Sequence, residues 1–328
     1  MRKSKFNYEL TTQFIHPYAK EKLYYDNEMN LCDTKGHLLF RRVNNSYDFV
    51  INLSADRIHY DEQYDNRNNL QLESLSQITE LWNKEPCQKI LFDTLGALNG
   101  KRILLLGNGM SLKELIFLLN GAELIYTDIS WHAIAAMKKV IAENNIFKNM
   151  MHKIEFHSVD ALNLPFDENQ FDVIYGYAFV HHLENTEAFL KEVHRCLKPG
   201  GICRFMDDGY SPIWQGAKTT VLKPLQVYSH KHKGISPEDL VATKRGGFKK
   251  EELLLWGEQL SFENVLYRKI SFFEYLLNRG IEKLDLKPLK FFKPCIRKID
   301  DFLLRKTNFI STNGIRLVWG YTKPKISS

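Results

Sequence analysis

The stretch RILLLGNG, residues 102–109, decides the fold. Ile103 to Leu106 form a strand-like run that ends in Gly107, Asn108 and Gly109. A second run, ELIYTD at 123–128, closes on Asp128, 19 residues after Gly109. In a strand–helix–strand unit the glycines let the backbone approach a bound nucleotide, and the acidic residue ending the second strand accepts hydrogen bonds from ribose hydroxyls. Taken alone, Gly-Asn-Gly also suits a tight turn with no ligand. A pyrophosphate-binding turn is disfavoured, because the third glycine of the dinucleotide pattern falls at Leu112.

Outward from this stretch, strand-like and helix-like runs alternate. A helix is predicted from Leu112 to Asn120, another from Ser130 to Asn145, then KIEFHSVD, FDVIYGYA, a helix from Asn185 to Leu197, and GICRFMD. Such alternation builds a parallel sheet with crossover helices. Residues 1–77 are polar and rich in Tyr and Asn and read as an appendage, with a hairpin in which LLFRRV and YDFVINL flank Asn44, Asn45 and Ser46. After Gly209 come a polar, basic stretch to about 247, a helix EELLLWGEQL, a strand FENVLYRKI, a basic helical region to about 306, and a last strand GIRLVWGYTK.

Further motifs follow in order: Asp160-Ala161 with Leu164-Pro165-Phe166, then Phe171-Asp172-Val173-Ile174, then Leu197-Lys198-Pro199-Gly200-Gly201. On these residues the chain resembles the class I S-adenosylmethionine-dependent methyltransferases, in particular their small-molecule group, over about residues 80–210. The resemblance implies a Rossmann-like, doubly wound, seven-stranded α/β sheet over 78–328. Residues 1–77 would serve as an N-terminal lid, and inserts at about 210–247 and 271–306 would cap the substrate.

S-adenosylmethionine is the implied cofactor, with S-adenosylhomocysteine as product. The resemblance assigns Gly107, Asn108 and Gly109 to the turn beside its amino-acid end, Asp128 to the ribose and Ile129 to the adenine face. Asp160 would accept from the adenine amino group, Ala161 would donate its N–H to the ring, and Tyr177 would line the methionine part. Two positions depart from the family: the acidic residue two before the first glycine is Leu105, and the third glycine is Ser111. Asp128 or Asp160 alone would also suit a structural cap, whereas together and in register with the glycine turn they read as a site. Asp172 is left structural.

Methyl transfer to oxygen or nitrogen can require a proton acceptor near the strand ends. His181 and His182 after the fourth strand, Asp207 at the end of the fifth, and His230 with His232 in the basic stretch are the candidates. Each also has a plain reading as a loop or surface residue. Tyr64 and, less so, Tyr60 suit a lid whose aromatic faces attract a sulfonium. The chain lacks an Asn/Asp-Pro-Pro-Tyr/Phe stretch after the fourth strand and a Pro-Cys nucleophile, so base-amino and cytosine-C5 methylation are disfavoured. This leaves an acceptor among small metabolites and glycan or lipid precursors. RNA methylation, or a cofactor-binding subunit without activity, are the alternatives.

The five cysteines are scattered, so neither a disulfide framework nor a metal site is expected. With no signal sequence or apolar run of membrane-spanning length recognised, a cytoplasmic location is expected. The formal charge of +6 hides a division. Residues 1–77 carry 10 basic and 11 acidic side chains, 78–209 carry 13 and 17, and 210–328 carry 22 and 11, giving −1, −4 and +11. A basic excess in the part that shapes the substrate mouth makes an anionic acceptor, a membrane surface or nucleic acid more plausible than the total suggests, and a lipid-linked or phosphorylated acceptor is the preferred class, with nucleic acid the lesser expectation. Within it, KLDLKPLKFFKPCIRKIDDFLLRK reads either as an interfacial helix or, more commonly, as a helix packing its apolar face and solvating its basic one.

Overall fold

The computed structural model describes residues 12–51, 54–65, 75–84, 86–217, 246–277 and 291–325. The first strands among the described residues are β1 (Tyr24–Tyr25), β2 (Leu31–Cys32) and β3 (Leu38–Phe40), paired in that order as a small antiparallel sheet. Then follow β4 (Ser46–Asp48) and three helices, α1 (Ala55–Asp65), α2 (Leu75–Lys84) and α3 (Pro86–Asp93). The alternating region comprises β5 (Arg102–Leu106), α4 (Ile116–Leu119), β6 (Glu123–Asp128), α5 (Trp131–Glu143), β7 (Ile154–Ser158), β8 (Phe171–Tyr177), α6 (Thr186–Cys196) and β9 (Leu197–Asp208). The last part holds α7 (Pro212–Ala217), α8 (Lys250–Gln259), β10 (Glu263–Lys269), α9 (Lys293–Lys306), α10 (Phe309–Asn313) and β11 (Arg316–Thr322).

The main sheet runs β10-β11-β9-β8-β5-β6-β7-β4. Strands β9, β8, β5, β6 and β7 are parallel, whereas β11 is antiparallel to both β9 and β10. Successive residues of one strand face opposite sides of a sheet. Accordingly Leu104 and Leu106 of β5 join one apolar core, and Ile103 and Leu105 join the other. Ile103 to Leu106 are all apolar because both faces of the strand are covered. Ser130 and Asn185 cap α5 and α6 by accepting from the N–H groups of Ala133 and Ala188, so these helices begin where the sequence placed them.

The N-terminal hairpin does not form as expected. A single bridge joins Val43 and Ser46 around Asn44 and Asn45, both at positive φ, and the two arms then part. β3 pairs with β2, whereas β4 pairs in parallel with β7 as an eighth strand. Phe14, Phe40, Tyr47 and Phe49 bury their rings in the core on that side of the sheet. Packing of these large rings against the sheet outweighs the few ladder bonds a hairpin would make.

Parallel strands deliver their C-terminal ends to one edge, where β5, β6 and β8 stop at Leu106, Asp128 and Tyr177. Arg316 of β11 lies opposite Asp208, the last residue of β9, so residues 270–315 leave and rejoin the sheet at that same edge. This insert has its own small core of Phe272, Tyr275, Ile310 and Ile315. Among the residues of α9, Leu303 and Leu304 pack on it, while Ile299 and Phe302 are exposed, as are Phe291 and Phe292 at its start. The expected burial of one apolar face is thus only half the arrangement. Most of the insert predicted at about 210–247, with His230 and His232, lies outside the described residues.

Candidate functional site

A cavity of about 510 Å³ opens at this edge. That lies within the usual span of small-ligand sites, about 300–1,000 Å³. Its wall begins with the glycine turn. Gly107 and Gly109 have φ of 58° and 53°, and a Cβ on Gly107 would stand 2.5 Å from the Phe179 ring. Gly176, in β8, is held to glycine by the same ring, at 2.2 Å. The turn after β8 therefore folds Phe179 back against two glycines, with Ala178 at φ 57°.

The Gly109 amide donates to Asp128 Oδ2 at 2.7 Å, and the Ser130 amide donates to Oδ1 at 2.9 Å. Burial nonetheless raises the Asp128 carboxyl to about 6, the backbone donors only partly offsetting it. Asp160 closes the turn after β7 by accepting from Leu162 N and Asn163 Nδ2 at 2.9 and 2.8 Å. All nine expected cofactor positions line the one cavity: Gly107, Asn108, Gly109, Asp128, Ile129, Asp160, Ala161, Tyr177 and Tyr64.

Glu114 and Lys113 are among the lining residues that were not anticipated. Glu114 is fully buried, yet its donors are distant: Tyr175 Oη at 3.3 Å, Asn108 Nδ2 at 3.4 Å and Lys113 Nζ at 3.8 Å. Lys113 Nζ lies 3.0 Å from the centre of the Tyr177 ring, and its carbonyl accepts from the Trp82 indole at 2.5 Å. A charged pair directly behind the glycine turn was the available signal. Its importance is visible only once the short turn 113–115 tucks Glu114 beneath Asn108. The side-chain Oδ1 of Asn108 is buried with no donor among the described residues.

Helix α1 brings Tyr60 and Tyr64 to the cavity, their rings stacked at 6.1 Å. It is pinned by Asp61, which accepts from Ser130 Oγ at 2.5 Å and from the His132 amide at 3.2 Å. Arg57 joins Asp61 to Asp48 of β4. These acceptor bonds and the arginine hold the Asp61 carboxyl below its usual range despite the opposing effect of burial.

The proposed proton acceptors separate. His182 lines the cavity, and His181 does not. His181 Nδ1 is 2.7 Å from Asp207 Oδ1, and Trp319 Nε1 donates to Asp207 Oδ2 at 3.0 Å. Burial pulls the His181 imidazole down, but the Asp207 hydrogen bond and charge prevail and raise it. Asp207 has no exposed surface and no place on the cavity wall, so its expected role as a base is corrected to that of a buried anchor. His230 lies outside the described residues. Asp172 accepts from Arg102 N and Lys198 Nζ, as a structural residue does.

These residues fit S-adenosylmethionine. Close backbone approach at two positive-φ glycines, two carboxylates for the adenosine, an orphaned Asn108 acceptor and the Glu114–Lys113 pair for an amino acid supply the needed complement. Glu114 and Asn108 Oδ1 offer acceptors beside the turn although position 105 is Leu.

Parts of the chain are similar to known proteins. Residues 104–205 match the family described as "Methyltransferase domain". Demethylmenaquinone methyltransferase of Staphylococcus saprophyticus is 29% identical over 126 residues, covering 37% of this chain and 54% of that protein. Phthiotriol/phenolphthiotriol dimycocerosates methyltransferase of Mycobacterium leprae is 33% identical over 112 residues, 34% of this chain and 38% of that one. The chain thus spans about half, or less, of the length of these relatives. Among solved structures, phosphoethanolamine N-methyltransferase 2 of Haemonchus contortus, in complex with S-adenosyl-L-methionine, aligns with a TM-score of 0.48 at 16% identity. That alignment covers 84% of this chain and 59% of that one. The likeness is thus to methyltransferases, and the family match rests on residues 104–205.

Proposed function

We propose that the protein methylates an oxygen or nitrogen of a lipid-like small molecule, using S-adenosylmethionine. The observation that carries this reading is a single cavity uniting Asp128 and Asp160 with Asn108, Lys113 and Glu114. The bound cofactor would supply a methyl group already activated on a sulfonium. What remains for the chain is to hold, orient and shield the partners. Asp128 accepts from the ribose hydroxyls and Asp160 from the adenine amino group. Glu114 and Asn108 Oδ1 accept from the methionine ammonium, and Lys113 pairs with its carboxylate. Tyr60 and Tyr64 close over the site and exclude water. His182 is the imidazole available to take a proton from the acceptor.

The lipid-like class is supported by two observations. Met110, Leu162, Phe179 and Leu183 give the cavity an apolar part. Two of the curated relatives are named for demethylmenaquinone and for phthiotriol/phenolphthiotriol dimycocerosates. Calorimetry with S-adenosylmethionine and S-adenosylhomocysteine tests the cofactor half, and failure of both to bind would overturn it. Methyl transfer from labelled cofactor to quinol and hydroxylated lipids tests the acceptor half. Transfer to RNA or to water-soluble acceptors only would refute the lipid-like class.

A further inference from the structure

We propose that the outward face of α9, with Phe291 and Phe292 at its start, docks on an anionic lipid bilayer. The helix is apolar on two sides. Its inner side, Leu303 and Leu304, packs on the insert core, and Asp300 is turned inward, where it accepts from the amides of Phe272, Phe273 and Glu274. On the outer side Phe292, Ile299 and Phe302 recur at spacings of seven and three, which places them on one stripe. Phe291 is 86% exposed, Phe302 60%, Phe292 53% and Ile299 47%. Three phenylalanines and an isoleucine held together in water are unusual for a surface with no partner.

Charge selects the occupant. Lys298, Arg305 and Lys306 are exposed beside the stripe, and Asp301 is the one exposed acidic residue of α9. An interfacial helix of this kind buries its apolar stripe among acyl chains while its cations meet anionic headgroups. A second copy would set these cations against one another, so self-association through the face is disfavoured. The position of the helix supports the same reading. The insert carrying it leaves the sheet at the edge where the cavity opens, so a docked α9 brings that edge close to the bilayer. Docking does not depend on the proposed methyl transfer, and binding to vesicles is read without turnover.

Flotation of the full chain with phosphatidylcholine vesicles, with and without phosphatidylglycerol, tests the proposal. Binding is expected only to the anionic vesicles and should weaken as salt is raised. Phe292→Ser with Phe302→Ser should reduce it by about tenfold or more. Lys298→Glu with Lys306→Glu should reduce it too. S-adenosylhomocysteine affinity and the unfolding temperature of both variants should match those of the parent, since the altered side chains are exposed and off the cavity wall. Equal vesicle binding by parent and variants would overturn the proposal, as would no binding by the parent. A concentration-dependent dimer abolished by the phenylalanine substitutions would assign the face to a second copy instead.

Discussion

The amide of Gly109 donates to the carboxylate of Asp128 at 2.7 Å, so the turn after β5 and the acidic end of β6 form one unit. Each fixes the other: the turn's positive φ points an N–H at the carboxylate, and the carboxylate holds the turn. Asp128→Ala should weaken S-adenosylhomocysteine binding by about 1.5–3 kcal/mol, the range for hydrogen bonds to a charged group. Titration calorimetry reads this, and unchanged affinity would remove Asp128 from the ribose.

The same carboxyl gives a pH signature. It titrates near 6 when the site is empty, and ribose hydroxyls donate to its ionised form. Affinity should therefore rise as pH increases from 5 to 7, by about tenfold, then level off. Asp128→Asn should flatten that profile. In the unliganded protein the sign is opposite. The folded state binds this proton more tightly than the unfolded one, so Asp128's contribution to stability falls as pH rises from about 4 to 6.

Glu114 is buried, its donors among the described residues stand at 3.3 Å and beyond, and an ammonium would supply a closer one. Glu114→Gln should weaken S-adenosylhomocysteine by about 1.5–3 kcal/mol. It should leave 5′-methylthioadenosine, which lacks the amino acid, within about twofold. Equal loss for both ligands would make Glu114 a purely structural residue.

The adjacent imidazoles should behave differently. His182→Ala is expected to lower turnover while cofactor affinity is retained, because His182 faces the cavity. His181→Ala breaks the buried chain to Asp207 and Trp319 and should cost about 1–3 kcal/mol of stability. Denaturant melts and single-turnover rates measured side by side would expose a reversal of these roles.

Asp61 tests the lid. Asp61→Ala removes the acceptor for Ser130 Oγ and the His132 amide and one partner of Arg57. Trypsin should then cleave at Arg57 faster, and S-adenosylhomocysteine should bind several-fold more weakly. An unaltered cleavage rate would show that α1 is held by packing alone.

Several features could be read directly from the amino acids, and they share a local cause. The glycine turn, the Ser130 and Asn185 caps and the alternation of apolar runs depend on residues within a few positions of one another. The spacing of Asp128 from Gly109 follows from the length of one helix and one strand. Tertiary structure decided the rest, because it depends on partners far apart in the chain. Asn44-Asn45 encodes a turn but not what its arms pair with, and β7, more than a hundred residues away, captured β4. His181 and His182 are indistinguishable in sequence. They differ because Asp207 and Trp319, from two later strands, draw one away from the cavity. Glu114 became a site residue only when Tyr175 and Asn108 closed around it. Composition could say that α9 was basic and apolar, but only packing against residues 272–276 determined which phenylalanines were left facing out.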